Sequence, residues 1–281
     1  MKKQLILLSD MEGASGIFEK NETAVAHGSP LWSSYGRDCL TSDICAVCEA
    51  ANENGIEEIL LYDGHFAGCP QFNVKLEKLP GNVRVFDLPD RCFYWRRIRG
   101  QAALDPFGVV TVGQHARFHT PNAYFPHTIQ SPPIQKLTVN GLHIAEIGSG
   151  VLQFSGTRYL ANIGCAASMQ EARELAPSVV CIPVKDKAAG WEPSPAQTYP
   201  LIKEGVSKAI REWEKRDVIH LDGPYRFELE LTEGYAFQEP SDFPWKGSFA
   251  PRLAAWEAPS VEIGLELFNE VRGCIQKKAV I

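Results

Sequence analysis

The chain has 281 residues, of which 44% are hydrophobic and 22% are charged, and its formal net charge at pH 7 is -6. This length and composition suffice for a sizeable core and exclude a disordered chain. The acidic balance and the lack of a long basic block argue against nucleic acid as a partner.

Short apolar runs and helical patterns alternate over the first two thirds of the chain. A helical pattern over residues 35–55 ends at Asn54-Gly55, a common helix terminator. Four apolar runs predict buried strands, at residues 4–10, 56–65, 82–88 and 107–115. Such runs, separated by helices, are typical of a parallel sheet covered on both faces. We therefore predict an α/β fold, a mostly parallel sheet flanked by helices.

The later elements are more varied. Asn140-Gly141 predicts a hairpin turn within residues 134–148. Further on, the patterns predict a strand at 178–184, a long helix beginning near Pro200, an alternating strand at 225–233 and a last helix within 260–278. Prolines near residues 185–200 favour a boundary there. We predict a metal-binding α/β domain over 1–190 and a smaller C-terminal α+β unit over 191–281.

No apolar run approaches the length that spans a membrane, and the first run is too short for a secretion signal. The eight cysteines are scattered, so we expect buried thiols in a cytoplasmic protein. Cys45 and Cys48 form a C-x-x-C pair without a second pair. A helix that happens to carry two thiols explains this pair better than a zinc or redox site does.

Potential metal ligands follow three of the predicted parallel strands. Asp10 and Glu12 follow the first strand, His65 follows the second within Asp63-Gly64-His65, and His115 follows the fourth. In open α/β sheets, ligands bind beyond the carboxyl ends of the strands. Taken singly, each acid is better explained as a helix cap. Together, they predict a metal site at one edge of the sheet.

The types of ligand indicate which metal binds. In an extended segment Asp10 and Glu12 point to the same side, where their charges repel unless a cation or proton lies between them. A mixed set of carboxylates and imidazoles suits zinc, with manganese as the alternative, better than calcium or magnesium. Surplus acids favour two ions about 3.5–4 Å apart that share a carboxylate. Asp63 either orients a ligand histidine or caps the following turn.

Five short motifs, in order, resemble the zinc D-aminopeptidase family of metallopeptidases (the DppA type). They are SDMEG (9–13), DGH (63–65), GQHAR (113–117), PH (126–127) and VNGLHIAEIG (139–148). The resemblance implies the metal ligands, which are Asp10, Glu12, His65, His115 and Glu146. It also implies that His127 is catalytic. Without the resemblance, Glu146 would be an exposed residue of a hairpin strand.

The resemblance further implies the activity and the assembly. We expect a hydrolase with two zinc ions per chain that cleaves amide bonds in short peptides or amino-acid amides with a free amine. We also expect a homo-oligomer, a homodecamer in this family. His127 would transfer protons or act as the nucleophile.

Two departures from the family pattern leave alternatives open. The stretch from His115 to His127 is about one residue longer than usual, so His119 competes for the catalytic role. Residues 162–168, NIGCAAS, replace a Gly-Asp-Asp-like turn. The alternatives are therefore an amidase or lactam hydrolase, or a phosphoesterase, on the same metal site. A catalytically silent metal-binding protein would not need the full set of ligands together with His127.

Overall fold

The computed structural model describes residues 3–66, 69, 71–86, 106–238 and 246–278. Six parallel strands form the central sheet: β1 (Gln4–Ser9), β2 (Glu58–Asp63), β3 (Val83–Val85), β4 (Pro106–Gln114), β7 (Tyr159–Cys165) and β8 (Val180–Lys185). Their order across the sheet is β3-β2-β1-β4-β7-β8. The predicted α/β fold with a mostly parallel sheet is confirmed. Residues 87–88 of the predicted third strand lie outside the described residues.

A second, antiparallel sheet covers one side of the molecule. It consists of β5 (Ile134–Val139), β6 (Leu142–Ile144), β9 (Tyr225–Leu231), β11 (Gly247–Ala250) and β12 (Leu253–Ala258), in the order β11-β12-β9-β5-β6. Asn140 and Gly141, both at positive φ, form the predicted hairpin turn between β5 and β6. A separate pair joins β10 (Tyr235–Phe237) to β13 (Ile275–Lys277).

Five α-helices are described. They are α1 (Arg37–Glu53), α2 (Glu146–Val151), α3 (Met169–Leu175), α4 (Pro195–Arg211) and α5 (Val261–Gly273). Helix α4 begins at Pro195, five residues before the predicted start at Pro200, because Ser194 and Gln197 form a capping box there. None of the described helices combines the length and apolar character needed to cross a bilayer.

Strand β1 shows why the parallel sheet has two buried faces. Leu5 and Leu7 contribute to a core with residues of α1 and α4. Ile6 and Leu8 contribute to a second core with residues of the antiparallel sheet, such as Phe227. Since successive side chains of a strand point to opposite faces, an unbroken apolar run is what such a strand needs.

The proposed division near residue 190 stays a prediction. The antiparallel sheet pairs β5, which precedes this position, with β9, which follows it. Helix α4, also beyond residue 190, packs against α1.

Candidate functional site

The ends of β1 and β4 approach each other very closely. The backbone N–H of Asp10 donates to Val112 O (2.9 Å), and that of Gly13 donates to Gly113 O (2.8 Å). A Cβ on Gly113 would lie 2.0 Å from Asp10 O, and one on Gly13 would lie 1.9 Å from Gln114 O. Only glycine permits this approach, which brings the acids after β1 next to the histidine after β4.

Asp10 lies between two imidazoles. Its Oδ1 is 3.4 Å from Nδ1 of His65, and its Oδ2 is 3.2 Å from Nε2 of His115. Glu12 Oε2 lies 3.0 Å from the same His65 nitrogen, and Glu146 Oε1 lies 3.3 Å from the same His115 nitrogen. The three acids and two histidines thus form one continuous cluster with Asp10 at its centre.

Glu146 reaches this cluster from a different element than predicted. It is the first residue of α2 rather than part of a hairpin strand, because β6 already ends at Ile144. The buried carboxylate of Glu171 accepts the backbone N–H groups of Ala145 (2.8 Å) and Gly148 (3.0 Å). Glu171 therefore satisfies free amides at the start of this helix and fixes Glu146.

His127 also lies at the cluster. Its ring stacks on that of His115 with centroids 3.9 Å apart, and its Nε2 is 3.5 Å from Glu146 Oε1. The backbone N–H of His127 donates to Ala116 O, which ties the loop to the end of β4. His119 is exposed, stacks on Phe118 and does not line the cavity that contains the cluster.

Each of the three histidines binds a backbone carbonyl through its outer ring nitrogen. His65 Nε2 donates to Val25 O (2.8 Å), His115 Nδ1 to Ala116 O (2.9 Å) and His127 Nδ1 to Phe125 O (2.9 Å). Such bonds fix the ring orientation and direct the other nitrogen towards the acids.

The histidines and carboxylates change each other's proton affinity. Burial lowers the pKa of His65 and His115, but the charges of Glu12 and Glu146 outweigh it and raise both values well above the usual range. Burial, and then the charge of Glu12, raise the pKa of Asp10 to about 6. Burial also raises the pKa of Glu12, but the charge and hydrogen bond of His65 outweigh it and hold that pKa well below the usual value. The cluster therefore strongly attracts positive charge.

Asp63 acts on the backbone that carries His65. Its carboxylate accepts the backbone and side-chain N–H groups of Asn73 (2.6 and 3.0 Å). Asn73 also donates to the carbonyl of His65 (2.6 Å). Asp63 thus positions the His65 backbone through Asn73.

Cys45 and Cys48, the C-x-x-C pair of the sequence, are free thiols.

Lys185 is a functional candidate that the sequence reasoning missed. Its side chain is fully buried and its ammonium donates to the carbonyls of Glu12 (2.6 Å), Ala14 (3.0 Å) and Ile17. Desolvation lowers its pKa to about 8. Lys185 is the last residue of β8, so the signal that selected Asp10, a charge at the end of an apolar strand, was present.

We expect Lys185→Met to lower the free energy of unfolding by about 3–5 kcal/mol, because three carbonyls lose their buried donor. Urea unfolding of the metal-free protein measures this change. The matched control is Lys187→Met, which removes an exposed charge paired with Glu19 (2.5 Å) and should cost less than about 1 kcal/mol. Equal small losses in both variants would show that Lys185 does not hold the segment that carries Glu12.

Among the residues that the structure describes, two groups of side chains could hold a metal ion, each with its ligand atoms within 4.8 Å of one another. They are Asp10, Glu12 and His115, and His115, His127 and Glu146. A cavity of about 620 Å³ opens onto Asp10, Glu12, His65, His127 and Glu146. All of the residues predicted as ligands, and His127, are therefore brought together at one place.

The model of a peptidase family described as D-aminopeptidase matches residues 4–268 of the chain. The chain belongs to the D-aminopeptidase family. Together with the two ligand groups, this makes it a metal-dependent hydrolase of peptide bonds, which confirms the predicted reaction class.

A solved structure of a D-aminopeptidase has the same fold. It is the Zn-dependent D-aminopeptidase DppA from Bacillus subtilis, described as a self-compartmentalizing protease. The two chains share 20% identity with a TM-score of 0.78, over 96% of this chain and 97% of that one. A comparison with curated proteins gives no match.

Proposed function

We propose that this D-aminopeptidase family member is a binuclear zinc aminopeptidase that removes D-residues from the free amino terminus of short peptides. The observation that carries the proposal is the position of Asp10, whose two oxygens face two different imidazoles. One ligand set would be Asp10, Glu12 and His65, and the other Asp10, His115 and Glu146. This division regroups the two sets described above according to the carboxylates that His65 and His115 each contact. Sharing one carboxylate between two ions is typical of binuclear hydrolases.

Buried polar atoms without a hydrogen bond support the proposal that these residues hold metal ions. Among the described side chains, the buried atoms Asp10 Oδ2, Glu12 Oε2, His115 Nε2 and Glu146 Oε2 form no hydrogen bond of acceptable geometry, although Asp10 Oδ2 and Glu12 Oε2 each lie within 3.2 Å of an imidazole nitrogen. Buried polar atoms are rarely left unpaired unless something else satisfies them. Carboxylate and imidazole ligands suit zinc, with manganese as the alternative. The zinc dependence of DppA agrees with this choice.

When bound, zinc would supply Lewis acidity and lower the pKa of water towards neutrality. The chain's own residues would do the rest. The acidic wall of the cavity favours a substrate ammonium group and so predicts a requirement for a free amine. His127 holds Nε2 towards the cavity because its Nδ1 is bound to Phe125 O, and we propose that this nitrogen takes up or donates the reaction's proton.

The cavity volume, about 620 Å³, suits a substrate of two or three residues. The description of DppA as self-compartmentalizing supports a homo-oligomer, and we propose a homodecamer in the cytoplasm. Light scattering of the purified protein measures the assembly.

A matched substrate panel tests the reaction. We expect the zinc-loaded protein to cleave D-alanyl peptides with a free amine and to cleave their N-acetylated forms at least ~100-fold more slowly, because the acetyl group removes the ammonium charge. L-alanyl peptides and small lactams complete the panel. Equal rates on blocked and free peptides, or preferred cleavage of a lactam, would contradict an aminopeptidase. Elemental analysis should give two zinc ions per chain, and less than one would contradict the metal site.

A further inference from the structure

Arg272 is a cation in the wall of an otherwise acidic cavity. It belongs to the last turn of α5, far in sequence from the predicted ligands. Among the described residues that line the cavity, Arg272 alone is a lysine or arginine, and it shares this wall with Glu12, Glu146 and His127. Arg272 therefore borders the same space as the candidate reaction centre.

The guanidinium of Arg272 makes no ion pair or hydrogen bond with any residue that the structure describes. It lies over the ring of Phe268, with its central carbon 5.9 Å from the ring centroid. By contrast, Arg117 pairs with Glu174 and Arg252 donates to Leu231 O. A half-buried guanidinium that offers five donors and leaves them unused is suited to an external acceptor.

A purely structural role explains only part of this arrangement. A positive charge in the last turn of a helix is favoured by the helix dipole. Any position in that turn would serve the dipole equally well. The interaction with the helix dipole does not explain why the Arg272 side chain lines the cavity of the candidate metal site without pairing with the carboxylates there.

The dimensions of the cavity match a short peptide. Helix α5 packs on residues Leu152–Phe154, which directly follow α2 and its first residue Glu146. A sphere with the volume of this cavity is about 11 Å across. An extended dipeptide spans about 7 Å. A substrate with its amine at the acidic cluster therefore has its other end within reach of the wall that carries Arg272.

We propose that Arg272 binds the free C-terminal carboxylate of the substrate and so selects di- and tripeptides over neutral amides. The proposal rests on the aminopeptidase function proposed above. A guanidinium and a carboxylate form two parallel N–H···O bonds, which fix both the charge and the direction of the peptide. Arg272 is thus a specificity-determining residue, and the acidic cluster binds the amino end of the same substrate.

The test compares D-alanylglycine with D-alanylglycinamide, which differ only in the terminal carboxylate. We expect the wild type to favour the free acid by roughly 10- to 100-fold in kcat/KM. Arg272→Gln should abolish this preference by slowing cleavage of the free acid alone. Arg272→Lys should restore part of the preference, because lysine supplies the positive charge but not the two parallel donors of a guanidinium. The matched control is Arg226→Gln, which removes the same charge from an exposed site away from the cavity.

Three outcomes separate this proposal from the proposed reaction. Cleavage of both substrates at equal rates by the wild type would overturn the role of Arg272 while the aminopeptidase stands. Equal slowing of both substrates in Arg272→Gln would likewise overturn it. Should the wild type cleave neither, the proposed reaction is wrong. In that case, calorimetric titration with the same pair of compounds, N-methylated at the peptide bond, tests the role of Arg272 by binding alone. Tighter binding of the acid than of the amide, lost in Arg272→Gln, would support the carboxylate site. Equal binding of the two compounds would overturn it.

Discussion

Asp10→Asn should remove most of the bound metal and lower kcat/KM by about 1000-fold. Asp10 contacts both His65 (3.4 Å) and His115 (3.2 Å), so its loss weakens both proposed ion positions at once. An amide offers one neutral oxygen in place of two charged ones. Metal-assisted stabilisation of the transition state is worth several kcal/mol, which corresponds to a change of this size.

Metal content by elemental analysis and steady-state kinetics on the same sample measure the effect. The metal-free variant should be at least as stable to urea as the metal-free wild type, because one of three clustered buried carboxylates loses its charge. The matched control is Asp38→Asn, whose carboxylate pairs with Lys75 and Lys78 away from the cavity. Full metal and full activity in Asp10→Asn would show that Asp10 is not a shared ligand.

The part of the site at the edge of the parallel sheet could be predicted from the sequence. Asp10 and His115 follow buried strands whose apolar runs are visible in the sequence, and parallel strands end at one edge. The structure places these residues as that argument requires, with Asp10 Oδ2 3.2 Å from His115 Nε2. The close packing of the two strand ends is also visible in the sequence, because the glycines that it requires, Gly13 and Gly113, lie at those strand ends.

The remaining residues depend on long-range packing that no local pattern encodes. Glu146 begins a short helix after a strand of the other sheet, and its position is fixed by Glu171, which follows in another helix. His127 lies in an irregular loop in which Phe125 and Ile129 have positive φ, so no periodicity predicts its direction. The resemblance to a family predicted both residues, because the motifs of a family preserve the outcome of such packing.

His127→Ala should retain the metal and lower kcat by about 100- to 10,000-fold, the usual contribution of a group that transfers protons. His127 Nε2 is directed at the cavity, whereas Asp10, Glu12 and His65 can still hold metal without it. The control is His119→Ala, since His119 is exposed and does not line the cavity. Unchanged turnover in His127→Ala, or a comparable loss in His119→Ala, would reject the assignment.

The same variant distinguishes the two chemical roles that Nε2 of His127 can have. As a proton carrier, His127 should give the wild type a pH profile with a limb that disappears in His127→Ala, and added imidazole should restore part of the rate. As a nucleophile, it should form an acyl-histidine, which rapid acid quenching and mass spectrometry detect as a mass increase on the wild type. The position of Nε2, 3.5 Å from Glu146 Oε1, favours proton transfer, because a carboxylate lies beside the nitrogen that would carry the proton. We therefore expect the pH limb to be lost and no acylated protein to accumulate.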